Sequence, residues 1–245
     1  MAAKGGRGIS SLVERQMRNW ELARSQKLRA EAEADQEKYV KFYVAISRES
    51  GCGAAEISEK LVERTGFSMF DKEILDYMVD CDEVRRRLYE TLDDHTMGWI
   101  EDICSSMTFG PAADGVEYFN RLNRALLAIC LHAHAIIIGR GANFVLPRES
   151  GLAVRLVATK SYRLETYVKR TGMSLKDAEE EMDRIDRRRS QFIENHFGKY
   201  AYDPRRYDLV INVSEFSTDA VADIIVAGMR AKAGEGLRLP VAKQR

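Results

Sequence analysis

Neither sign of charge is in surplus in this chain: Lys and Arg total 38, Asp and Glu 38. So balanced a sequence has no global field to draw it to nucleic acid or to an anionic membrane surface, and any positive site must be local. No apolar run approaches the roughly 18 residues that a membrane span needs. The opening MAAKGGRGIS lacks the apolar core of a secretory signal. The cysteines, Cys52, Cys81, Cys104 and Cys130, are scattered with no C-x-x-C pair, which reads as free thiols in a reducing cytoplasm. No metal signature stands out. In CLHAH, His132 and His134 are two positions apart and would diverge on a helix, so no metal site is expected there.

What is present is ordinary hydrophobic content, 45%, in 245 residues, enough for one large domain or two small ones. Residues 9–39 read as a long charged helix with an imperfect apolar stripe at Val13, Met17, Trp20 and Leu28. It is either an extension packed on the core or a homo-oligomer contact that covers Trp20. Short apolar runs predict five strands: 42–47, 67–70, 135–138, 152–159 and 207–214. Helices are predicted over 54–65, closed by Gly66, across most of 72–133 apart from a loop at MTFGPAADG, from Ser161 to Gly172, from Ser174 onward, and over about 219–231. Strands alternating with helices imply an α/β domain with a parallel sheet, whose ligands bind beyond the C-terminal strand ends. Three candidate segments, 48–55, 71–72 and 139–141, each directly follow a strand.

The first of these is Ser50-Gly51-Cys52-Gly53, running into Ala54 and Ala55. A helix N-terminus presents unpaired N–H groups and about half a positive charge, and glycines let the backbone wrap an anion closely. A full phosphate loop reads G-x-x-x-x-G-K-S/T. Here Ala54 stands where the lysine belongs, Ala55 where the hydroxyl belongs, and Arg48 where the first glycine belongs. The same residues also fit a plain strand-to-helix turn.

Three ordered stretches favour the phosphate loop. AISRESGCGAAEISEKLVERTGFSMFDKEIL, IIIGRGANFVL and EEMDRIDRRRSQFIENHFGKYAYDPRRYDLVINVS together resemble the cytidylate kinase-like family, a divergent branch of the P-loop nucleoside monophosphate kinases. The resemblance covers most of 42–230. It implies a three-layer P-loop nucleotide kinase fold with a five-stranded parallel sheet and a helical lid. It divides the chain into an N-terminal extension (1–41), a kinase-like domain (42–232, lid about 172–206) and a flexible tail (233–245). The implied activity is transfer of the γ-phosphoryl of ATP to CMP or a similar monophosphate, in the cytoplasm, with Mg2+ carried by the nucleotide.

By the same resemblance, Ser50 to Ala55 would cradle the donor phosphates and Arg48 would substitute for the missing lysine. Asp71 and Lys72 would begin to read the acceptor, and Arg140 would grip its phosphate. Arg184, Asp186, Arg187, Arg188 and Arg189 would form the lid's charged helix. Arginine suits this work because its planar fork binds phosphate bidentately. Arg184, Arg187 and Arg188, at i, i+3 and i+4, are expected to share the face that meets the loop, while Asp186 and Arg189 pair with each other. The kinase reading collapses if Arg140 and Arg187 point away from the pocket. A solvated surface with Glu179 to Glu181 and Asp183 as partners is the other reading of this helix. Ala55 also lacks the arginine of the family's own pattern, and Ile138 stands where related kinases often carry an aspartate. A nucleotide-binding pseudoenzyme with a sensing or regulatory role is therefore the alternative function.

Overall fold

The computed structural model describes residues 40–90, 92–106, 116–198 and 202–234. The expected N-terminal helix with its oligomer contact, the loop at 107–115 and the tail beyond 234 lie outside them.

Alternation along the first strand dictates the layering. In β1 (Tyr43–Arg48), successive side chains point to opposite faces. Tyr43 and Ala45 join one core cluster, Val44 and Ile46 the other. β3 (Ala135–Ile138) does the same, with Ala135 and Ile137 on the first face and Ile136 on the second. A strand buried on both faces must be covered on both. The cover on the second face is α1 (Ala54–Thr65) and the last helix, α9 (Thr218–Ala233). The first face carries α2 (Lys72–Asp80), α3 (Asp82–Tyr89), α4 (Asp94–Ser106), α5 (Val116–His132) and the short α6 (Ala142–Val145). Each fully buried Leu or Ile stabilises this sandwich by about 1.5–3 kcal/mol.

β2 (Ser68–Phe70), β4 (Gly151–Val157) and β5 (Leu209–Asn212) complete a parallel sheet in the order β2-β3-β1-β4-β5. The chain goes to one side of β1 for β2 and β3, then crosses to the other for β4 and β5. The crevice of such a switch opens at the C-terminal end of β1, where the segments after β1, β2 and β3 meet.

Beyond β4, α7 (Lys160–Thr171) and α8 (Leu175–Phe197) form a hairpin. Thr159 and Ser174 cap their N-termini, and Gly172 ends α7. The hairpin has its own small core of Tyr167, Ala178 and Met182. So few buried residues on a 23-residue helix make α8 a lid laid over the crevice. The architecture is thus the expected three-layer α/β sandwich with a helical lid. Observed strand ends differ from the expected ones by a residue or two, and β5 is shorter because Ser214 turns to the α7 cap, accepting from Thr159 N at 2.9 Å. Among the described residues no helix is long and apolar enough to cross a membrane.

Candidate active site

Immediately after β1, Glu49 N donates to Leu156 O (3.2 Å), tying the loop's start to β4. Gly51 has φ +82°, and a Cβ there would lie 2.3 Å from the carbonyl oxygen of Arg163. Only glycine lets α7 come so close to the loop. α1 then begins without a side-chain cap, which leaves its first amides available to a ligand. Ser50, Gly51, Ala54 and Ala55 line a cavity of about 280 Å³, together with Arg48 and Asp71. Cys52 does not line it. Its thiol turns into the core toward Leu156 O (3.7 Å), and burial pushes its pKa up to about 12.

Arg48 closes the floor of this cavity. A Cβ on Gly139 would stand 2.1 Å from Arg48 Nη1, so the glycine's bare α-carbon is what gives the guanidinium room. Among the described residues Arg48 makes no hydrogen bond or ion pair. Burial and the neighbouring Arg189 charge lower its pKa to about 9, against weaker support from Asp71. It remains a cation at neutral pH, and even a half-buried cation without a paired anion is costly. An anionic ligand would relieve that cost. Asp71 caps α2, accepting from Ile74 N at 2.9 Å, and also borders the cavity.

A second cavity, about 490 Å³, adjoins the first on the side of Gly139-Arg140-Gly141. Arg140 has φ 54°, a left-handed conformation that costs a non-glycine residue about 1–2 kcal/mol. Its Nη2 donates to Asp76 Oδ1 (2.5 Å) and Oδ2, and its guanidinium lies between the rings of Tyr118 and Phe192, 5.4 and 5.0 Å from their centroids. The two cavities share Arg48, Lys72, Glu73, Ile185 and Arg189 in their walls. Three cations and one carboxylate therefore stand where the contents of the two chambers would meet.

The lid corrects the expected arginine face. Arg184 is turned outward onto Glu181, with Nε to Oε2 at 2.6 Å, and Arg187 is exposed and borders neither cavity. The inward stripe is Ile185, Arg188, Arg189, Phe192 and Ile193. Its apolar members, at i, i+7 and i+8, set the rotation of α8 and carry 188 and 189 inward while 184 and 187 fall on the outer flank. Of the arginines Arg140 and Arg187, Arg140 borders the second cavity and Arg187 borders neither, so the lid's charge at the shared wall comes from Arg189 instead.

Asp186 and Arg189 do pair, at 3.6 Å. Asp186 Oδ1 accepts the Ser50 N–H (2.9 Å), its Oδ2 accepts from Arg163 Nη1 (2.7 Å), and Arg189 Nη1 reaches Ser50 Oγ (3.2 Å). A lid carboxylate thus occupies an amide of the loop. Sequence reasoning missed Arg163, Asp76 and Phe192. Lys72 and Asp76, at i and i+4, were the one signal for Asp76.

No cluster of three or more His, Cys, Asp or Glu suited to a metal exists among the described residues. With Ala55 in the hydroxyl position, the carboxylates lining the loop cavity are Glu49, Asp71 and Glu73, and magnesium brought in on nucleotide phosphates would fit beside them.

No protein of curated function matches. An uncharacterized protein from Eubacterium ventriosum is 21% identical, with 78% of this chain and 99% of that one covered and a TM-score of 0.61, which shows a common fold. Shikimate kinase from Acinetobacter baumannii is 13% identical over 81% of this chain and 97% of that one, TM-score 0.43. The shikimate kinase of Aquifex aeolicus is 14% identical over 79% and 99%, TM-score 0.38. Residues 43–215, from β1 through the lid to the turn after β5, match the cytidylate kinase-like family, and with the parallel sheet, the loop after its central strand and the helical lid all in order, the chain belongs to that family of divergent P-loop nucleoside monophosphate kinases.

Proposed function

We propose that the protein binds ATP with its phosphates in the loop cavity and transfers the γ-phosphoryl group to CMP or a similar nucleoside monophosphate in the Arg140 cavity. An acceptor phosphate oxygen would bond to the γ-phosphorus as the bond to the bridging oxygen breaks, and ADP would leave with that electron pair. The reading rests on one observation: two chambers share a wall carrying Arg48, Lys72 and Arg189. Phosphoryl transfer asks a protein mainly for alignment and for positive charge on the transferring oxygens. Arg48 supplies that charge from below, in the role a loop lysine would otherwise take, and Arg189 from the lid. The loop amides hold the donor, Lys72 borders both chambers, and Asp71, expected to read the acceptor, lines the loop cavity instead. Magnesium, carried by the triphosphate, supplies further charge neutralisation.

A second reading, nucleotide sensing without chemistry, is favoured by Asp186 on the Ser50 amide and by the pairing of Arg140 with Asp76. Phosphorus NMR of protein with magnesium, ATP and each common monophosphate separates the two. Equal formation of ADP and a new diphosphate, lost in Arg48→Met, supports the kinase. Nucleotide-dependent stabilisation with no new resonance supports the sensor.

A further inference from the structure

Asp76 was singled out by no motif, yet four donor contacts converge on its carboxylate. Lys72 Nζ reaches Oδ2 at 2.9 Å, Tyr118 Oη donates to Oδ1 at 2.6 Å, and Arg140 Nη2 donates to both oxygens. The donors come from three elements: α2 itself, the first turn of α5, and the turn after β3. Two of them are cations that line the Arg140 cavity; Asp76 itself does not line it. Burial alone would raise the Asp76 pKa, but the hydrogen bonds from Tyr118, Arg140 and Lys72 hold it below the ordinary carboxylate value. The hub therefore stays anionic at neutral pH.

We infer that Asp76 is the positioning residue of the acceptor chamber, fixing Arg140 and Lys72 so that their remaining N–H groups face an incoming phosphate. This rests on the two-chamber reading above. Arg140 follows a glycine and sits in a strained left-handed turn, so its backbone alone would not hold the guanidinium at one angle. Asp76 grips one nitrogen of the fork, while the Tyr118 and Phe192 rings fix its plane. Arg140 Nε is left buried with no partner among the described residues. Because Phe192 belongs to α8, the same hub ties the acceptor chamber to the lid. Tyr118 supports it from α5 without touching the cavity wall.

The test is calorimetric. The four ribonucleoside monophosphates probe the acceptor chamber, and pyrophosphate probes the loop cavity. Asp76→Asn keeps the shape but removes the charge. It is expected to weaken the best-bound monophosphate by about tenfold or more, the loss of roughly one charge-assisted hydrogen bond, while pyrophosphate affinity stays within about twofold of wild type. In an Arg140→Ala background the same substitution should cost clearly less, because it acts through that arginine. Tyr118→Phe, which keeps the carboxylate, should give a smaller loss in the same direction, and it carries the test should Asp76→Asn not fold. Unchanged monophosphate binding in these variants overturns the inference, as does an equal loss of pyrophosphate binding. Failure of the wild-type protein to bind any monophosphate overturns the two-chamber reading together with this inference. Wild-type binding that Asp76→Asn leaves intact overturns the inference alone.

Discussion

Replacing Gly139 by alanine tests Arg48 without touching its charge. The new methyl would lie 2.1 Å from Arg48 Nη1, at a residue with φ +83°. Two costs follow. The left-handed backbone costs about 1–2 kcal/mol of stability, and the guanidinium must leave its place at the floor of the loop cavity. If that place is where phosphate is held, the variant loses a charge-assisted hydrogen bond of about 1.5–3 kcal/mol, or roughly 10- to 150-fold in affinity. Gly66→Ala is the control. Gly66 has φ +70°, with nothing within 4 Å of an added Cβ, so it carries a similar backbone cost far from the cavity. Thermal melts should show both variants destabilised to a similar degree. Pyrophosphate titration by calorimetry should show weakening in Gly139→Ala alone. Equal binding in Gly139→Ala and wild type, or equal weakening in the two variants, would refute the role given to Arg48.

Removing the Asp186 carboxylate frees the Ser50 amide and takes a negative charge from beside the loop, so Asp186→Ala should bind pyrophosphate several-fold more tightly by calorimetry, and unchanged or weaker binding would count against the loop as an anion site. Cys52 and Cys104, raised by burial to about 12 and about 11, and the fully buried Cys130 should resist a thiol reagent at pH 8 in the native state, leaving Cys81 as the labelled site by mass spectrometry among the described cysteines. Asp76 is held below its ordinary value of 3.8, so its stabilisation is complete above that pH and is lost as pH falls through the folded-state value. Melts of Asp76→Asn and wild type should therefore differ at neutral pH and converge under acid. Gly51→Ala, whose Cβ would meet the Arg163 carbonyl at 2.3 Å, should both destabilise the protein and separate α7 from the loop, read as faster amide exchange in α7.

The strands were legible because a buried parallel sheet writes itself as short apolar runs, and Ala135–Ile138 stands out in that way. The caps were legible because capping is local: Asp71, Ser174 and Ser217 each accept an amide three residues on. The lid's rotation was not. Charge spacing put Arg184, Arg187 and Arg188 on one face, but the packing of Ile185 and Phe192 decides which face looks inward. Long-range partners were equally hidden. Nothing local in Asp76, Arg163 or Phe192 announces contacts across 64, 113 or 52 positions, to Arg140, Ser50 and Arg140 respectively. The Arg48 cavity was half legible: the arginine's place after β1 was visible, but not the bare α-carbon of Gly139 that admits it.

In the proposed kinase, a guanidinium under the loop holds the transferring phosphate where a lysine is absent. A crystal structure with a bisubstrate analogue, adenosine joined to a second nucleoside through five phosphates, tests it most directly. The phosphate chain should run from the Ser50–Ala55 amides to Arg140, with an Arg48 nitrogen within about 3 Å of a central phosphate oxygen. A bound analogue whose phosphates bypass Arg48, or lie outside the shared wall of the two chambers, would contradict it.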